Sequence, residues 1–293
     1  MERDAIEKTG DGPGIGTVPI APRDDARRWR RWTTVAALPC ALAASFRFGW
    51  RVSAMVAVAC AVAAACELGV DALRRRRSPK AGDGSRIGTV PMAFLPTGLL
   101  FALLLPPATP LWMVAVGAAF AVLVGQEIFG GTDRQVVSPP LVGLSFLMLS
   151  YPATMVSAYA DVAATSLDRV GLVAVLAGGA LLLAMRAIDW RIVFGALAAF
   201  FLAGIGAPLG MTKLICPTML FVTFFLATDP VTCPSGALGR LLFGVIVGAG
   251  AMLLRRFTSM PDDAGVAVLA ANLLVPFVNR IGKPREARND ADA

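Results

Sequence analysis

The chain has 293 residues, 56% of them hydrophobic and only 16% charged, with a net charge of +7 and a mean hydropathy of +0.68. A soluble domain carries about 25% charge and about 45–50% apolar residues; here the excess comes in runs, which excludes an ordinary soluble domain and indicates a polytopic membrane protein. The absence of histidine removes His-ligated haem, His-bound zinc and every Ser-His or Cys-His nucleophile.

The first thirty residues are charged and rich in Gly and Pro, and they lack the basic-then-apolar order of a cleaved signal. Residues 1–32 are therefore expected to form a flexible cytoplasmic tail. Apolar runs follow at 33–46, 52–70, 91–107, 111–125, 136–155, 170–185, 191–207, 213–227, 241–254 and 264–279. They predict an all-α polytopic membrane protein with about ten transmembrane helices, several shorter than the ~20 residues of a straight span. Such short, Gly/Pro-interrupted runs point to tilted, broken or re-entrant helices. The transmembrane domain is read as 33–280, with halves at 33–155 and 170–280, and residues 281–293 as a cytoplasmic tail.

The basic residues set the orientation. Arg27, Arg28, Arg30 and Arg31 place the N-terminus in the cytoplasm. The run from Arg74 to Lys80, the pair Arg186 and Arg191, and the cluster Arg280, Lys283 and Arg285 then fall on the same side. Arg255 and Arg256 fall outside and disagree. These clusters flank apolar runs, so they read as topology signals, and no nucleic-acid partner is expected. Cys40, Cys60, Cys66, Cys216 and Cys233 form no C-x-x-C pair, so neither a metal site nor an iron–sulfur cluster is expected.

The stretch from Pro96 to Gly125 echoes that from Pro217 to Gly248: Pro-Thr opens an apolar run, a Pro-bearing break follows, then a Gly-studded span. An offset of about 120 residues, an odd number of spans, predicts two inverted five-helix repeats. Asp229 sits in the break of the second half, where Pro106 and Pro107 sit in the first. In inverted repeats such breaks border the substrate or cofactor path, so Asp229 and Thr228 are candidates for an ion or cofactor path. The alternative is that they cap a short helix beginning at Pro230. Glu67 and Glu127, inside or at the edge of apolar runs, are further path candidates; for Glu127, beside a Phe-Gly-Gly turn, surface exposure is the alternative.

Three blocks carry a resemblance: "FFLATDPVTCPSGALGRLLFGVIVG", "TGLLFALLLPP" and "GQEIFGGTDRQVVSPPLVG", with "AGVAVLAANLLVPFVNR" behind them. In order and spacing they resemble the D subunit of the Rnf electron-transport complex and the homologous B subunit of sodium-translocating NADH:quinone oxidoreductase. The resemblance covers roughly residues 90–280. It implies a urea-transporter-like architecture and a membrane subunit of a redox-driven ion pump, working with other membrane subunits in the inner membrane. It further implies flavin mononucleotide, with riboflavin as a second flavin, the former joined by a flavin transferase to a threonine on the outer side. The matching residue is Thr165, in "ADVAATSLD". Val162 and Ala163 stand where the family has Ser-Gly, and Tyr159 stands at the family's upstream Asp. Thr165 is thus either the phosphoester acceptor or, with Ser166, an N-cap for the helix beginning near Asp168. The competing function is a flavin-free channel or transporter of a small solute on the same fold.

Overall fold

The computed structural model describes residues 23–77, 94–131, 134–163, 169–205, 217–258 and 262–282, and all regular structure among them is helical. Helices α1 (Arg23–Phe48) and α2 (Trp50–Arg77) form a hairpin about Gly49. Gly49 takes φ 79°, a left-handed conformation that favours glycine, and a Cβ there would meet nothing within 4 Å. The Ser53 hydroxyl donates to Ser45 Oγ at 2.9 Å across the hairpin, so the two helices run antiparallel.

The short helix α3 (Phe94–Leu104) leads through Pro106, Pro107 and Pro110 into α4 (Leu111–Val122), which continues as a π turn at Leu123–Glu127. Next come α5 (Pro139–Ser150), α6 (Pro152–Ala163), α7 (Arg169–Ala184) and α8 (Trp190–Ile205). The second short helix, α9 (Pro217–Phe221), also continues as a π turn, at Val222–Leu226. The chain closes with α10 (Ala237–Phe257) and α11 (Asp263–Gly282).

Among the described residues, the segments Trp50–Arg74 and Ala237–Phe257 are individually long and apolar enough to cross a membrane. Five more apolar helices are shorter, α3 and α9 among them. The run at 136–155, expected as one span, is instead broken: α5 and α6 meet at an angle of 108°. The cause is local. Pro152 disfavours the helical region for the residue before it, and Tyr151 sits at φ −133°, ψ 54°.

The two short helices form the centre. Phe101 of α3 and Phe225 of the second π turn are completely buried. The outer helices present Phe46, Leu149, Phe194 and Phe277, all more than half exposed. An apolar exterior of that extent suits lipid rather than water.

Cross-chain bonds fix the helix directions. Arg28 Nη2 donates to the Met185 carbonyl at 2.5 Å, so the start of α1 lies at the end of α7. Arg240 pairs with Asp189 at 2.8 Å, which puts the start of α10 at the same end as the α7–α8 turn. The Ser235 N–H donates to Asn279 Oδ1 at 2.9 Å and brings the last turns of α11 there too. Arg74, at the end of α2, pairs with Glu127, at the end of α4, at 2.8 Å. At the opposite end, Arg51 reaches the carbonyl of Ala108 at 3.2 Å, just before α4. Thus α4 runs toward the end that carries the chain's basic clusters, and α10 runs away from it. In packing they are equivalent: α4 lies against α2 and α5, α10 against α8 and α11.

Of the anomalous basic pair, Arg255 is tied to the next helix. Arg255 is engaged by Asp263, with Nη2 donating to Oδ1 at 2.8 Å, and its guanidinium lies 5.1 Å from the centre of the Phe200 ring. The Asp262 carboxylate accepts the Gly265 N–H at 3.1 Å and caps α11.

The α8–α10 contact depends on glycines at small-xxx-small spacing, Gly244 and Gly248, facing Gly195. A Cβ on Gly195 would come 2.7 Å from the Leu241 carbonyl oxygen, and one on Gly248 would overlap the Ala196 carbonyl. Gly248→Val is therefore expected to destabilise the protein by about 1–3 kcal/mol, as overpacked contacts do. Gly250, whose Cβ would meet only the Ala267 methyl at 3.5 Å, accepts alanine without loss. Thermal unfolding of the two variants in detergent checks this; equal melting points would contradict the close approach.

Candidate functional site

Pro230 and Pro234 stop the chain from continuing as a helix after α9, and residues 227–236 form a compact turn. Asp229 organises it. Its Oδ1 accepts the Val231 N–H at 3.0 Å, and its carbonyl accepts the N–H groups of Thr232 and Cys233, each at 3.1 Å. Gly236, at φ 90°, releases the chain into α10. The expected short helix at Pro230 is thus a tight turn, and one carboxylate oxygen does hold it. The turn engages one carboxylate oxygen, and the second faces elsewhere.

That second oxygen, Oδ2, accepts a hydrogen bond from Gln135 Nε2 at 2.7 Å, across 94 residues of sequence. Asp229 is only 2% exposed. It faces a cavity of about 20 Å³ that also touches Trp29, Arg30, Thr97, Gln126, Gln135 and Phe225. Both π turns contribute, Gln126 from the first and Phe225 from the second. Such irregular turns release backbone groups from the regular ladder and recur at functional sites. A cavity of about 20 Å³ has room for roughly one water. The cavity therefore accommodates a water-sized species, and a flavin ring system does not fit it.

The other predicted residues fall in different places. Thr228 is buried beside Asp229, but its hydroxyl donates to the Phe224 carbonyl at 2.7 Å and so closes the π turn. The Glu127 side chain is only 7% exposed and held by Arg74, which pairs with its carboxylate and donates to its carbonyl at 2.9 Å. Its neighbour Gln126, not Glu127, lines the cavity with Asp229. Glu67 is buried within α2. Thr165 lies outside the described residues.

Sequence reasoning passed over Gln135, Trp29 and Arg30, whose role depends on folding. It also passed over Asn272 of α11 and Thr223 of the second π turn. Both are at most 1% exposed, and among the described residues their side-chain polar atoms have no hydrogen-bond partner. A polar residue inside an apolar run was the available signal for each.

The sequence model of the NQR2, RnfD, RnfE family matches residues 18–288. The chain belongs to this family. As an NQR2/RnfD/RnfE-family chain with an apolar helical exterior, it is a membrane protein. It is 32% identical to the B subunit of the Na(+)-translocating NADH-quinone reductase of Pseudomonas paraeruginosa, over 67% of this chain and 62% of that protein. The family chain thus spans about 62% of the length of those relatives. It is 28% identical to the D subunit of the ion-translocating oxidoreductase complex of Vibrio cholerae, over 87% of this chain and 93% of that protein. The corresponding protein of Shewanella sediminis is likewise 28% identical, over 86% of this chain and 91% of the relative.

Proposed function

We propose that the chain is a membrane subunit of a redox-driven, ion-translocating electron-transport complex of the Rnf/Nqr type, working beside other membrane subunits. The observation that carries this reading is family membership across residues 18–288, extending through both halves of the helical domain. Relatives on both branches are named as subunits of ion-translocating oxidoreductases. In this reading Asp229 holds a proton or a small cation in its cavity, and Gln135 keeps its outer oxygen aimed there. The Val231 N–H fixes the inner oxygen, so the carboxylate is oriented before anything binds. A buried carboxylate in a membrane protein is a costly feature that marks a path for ions or protons.

We further infer two inverted repeats. The opposite directions of α4 and α10, each packed between two equivalent neighbours, support it. So does the pairing of the short helices α3 and α9, at the offset the sequence echo requires. The same directions gather Arg28, Arg74, Arg186 and Arg191 at one end, which supports cytoplasmic termini and an inner-membrane location. We also propose flavin mononucleotide on Thr165, on the opposite side, installed by a flavin transferase; a bound flavin would supply the electron chemistry.

The test uses membranes of the native host. A tagged chain isolated in mild detergent should bring redox subunits with it and show flavin absorbance, and a reporter at Ala160 should read outside. A chain that purifies alone and colourless would favour the flavin-free transporter. A reporter at Ala160 that reads cytoplasmic would contradict the inverted repeat.

A further inference from the structure

A second cavity lies at the end of the bundle that gathers the basic clusters. Its volume is about 470 Å³, within the ~300–1,000 Å³ typical of small-molecule sites. It opens between the start of α1, the α7–α8 turn, the start of α10 and the far side of the Asp229 turn. Four arginines line it, Arg28, Arg186, Arg191 and Arg240, against one carboxylate, Asp189.

The carboxylate is already committed. Asp189 Oδ2 pairs with Arg240 at 2.8 Å, and Oδ1 accepts the backbone N–H of Arg191 at 2.9 Å. Burial alone would raise its pKa, but the hydrogen bonds from Arg240 and the Arg191 backbone outweigh burial and hold it below the usual range. It therefore stays ionised and balances one guanidinium. The Arg191 guanidinium reaches Asp189 only at 3.9 Å and lies 5.8 Å from the Trp190 ring centre. Arg28 donates to a neutral carbonyl, that of Met185. Arg186 has no carboxylate partner among the described residues, and its backbone sits at φ 50°, unusual for a bulky residue. Among the described lining residues, four positive charges face one negative.

We propose that this cavity binds a phosphate group. Guanidinium forks match phosphate oxygens in two-point contacts, and several converging on one space are the usual protein answer to a phosphate. The remaining walls argue for the phosphodiester of an anionic lipid as its carrier. Leu183, Ile188 and Ile192 make one side apolar. Trp190, 60% exposed at the rim, has the amphipathic ring found at headgroup level. Basic pockets between helices on the cytoplasmic side of a membrane take anionic head groups. A soluble phosphate compound would meet the same arginines without using the apolar wall.

The experiment measures the thermal stability of the full chain in nanodiscs of pure phosphatidylcholine, of phosphatidylcholine with phosphatidylglycerol, and of pure phosphatidylcholine with added inorganic phosphate. Wild type is expected to melt higher with phosphatidylglycerol. In Arg186→Gln/Arg191→Gln the lipid titration should shift to about ten- to hundredfold higher concentration, as expected for lost hydrogen bonds to a charged group. Arg256→Gln, at the opposite end, should respond as wild type does. Stabilisation by inorganic phosphate alone would support the site with a soluble carrier. Two outcomes overturn the proposal: no response of wild type to either anion, or an unchanged response in the double variant. Should the double variant fail to fold, the wild-type arms and Arg186→Gln alone still decide.

Discussion

Thr165→Ala protein should run on a denaturing gel without flavin fluorescence, while the wild-type chain, made with the host's flavin transferase, retains it. The effect is all or none, because a phosphoester either forms on that hydroxyl or does not. The motive is the Ala-Thr-x-Leu-Asp match and the outer position expected for the loop. Helix α7 ends at the basic end of the bundle, as the Arg28–Met185 bond fixes, so its first residue, Arg169, lies at the opposite end. A loop between spans can expose a hydroxyl without stranding backbone groups in lipid. Intact mass provides the second readout. A wild-type chain at its unmodified mass, made with an active transferase, would remove covalent flavin from the account and leave Thr165 as a helix cap.

Asp229→Asn should abolish most ion coupling while the protein still assembles. Asparagine keeps an acceptor for the Val231 N–H, so the turn survives; what goes is the charge facing Gln135 and the small cavity. Losing a charged hydrogen-bond partner is worth about 1.5–3 kcal/mol, or roughly ten- to hundredfold in a step that uses the charge. Asp229→Ala also removes the turn-holding oxygen and adds a stability loss of about 0.5–2 kcal/mol. Comparing the two variants separates the roles: melting temperature reports the turn, ion uptake reports the charge. Normal uptake in well-folded Asp229→Asn protein would leave the carboxylate with a structural role alone.

Much of this architecture was legible in the residues. Apolar runs announced the helices, and the pause at Asp229-Pro230 announced the turn that carries the buried carboxylate. The pairwise contacts were not legible, because they join distant parts of the chain. Nothing near Asp229 in sequence points to Gln135, and nothing near Glu127 points to Arg74; folding creates both partnerships. The contact of Arg255 with Asp263 has the same origin, since Asp263 sits on the next helix. The bend at Tyr151 was readable from Pro152, but the apolar run through 136–155 outweighed a single proline. The arginine-lined cavity illustrates the other limit: Arg28, Arg186 and Arg191 read as topology signals, and Arg240 as no signal at all, until the fold gathers the four.

The central claim is that the chain couples redox chemistry to ion movement, and vesicles from the native host test it most directly. Inverted membrane vesicles supplied with the host's electron donor should accumulate ions when the chain is present. They should lose that uptake when the chain is deleted, regain it with wild type, and not regain it with Asp229→Asn. Redox-driven uptake that continues undiminished without the chain would contradict the account.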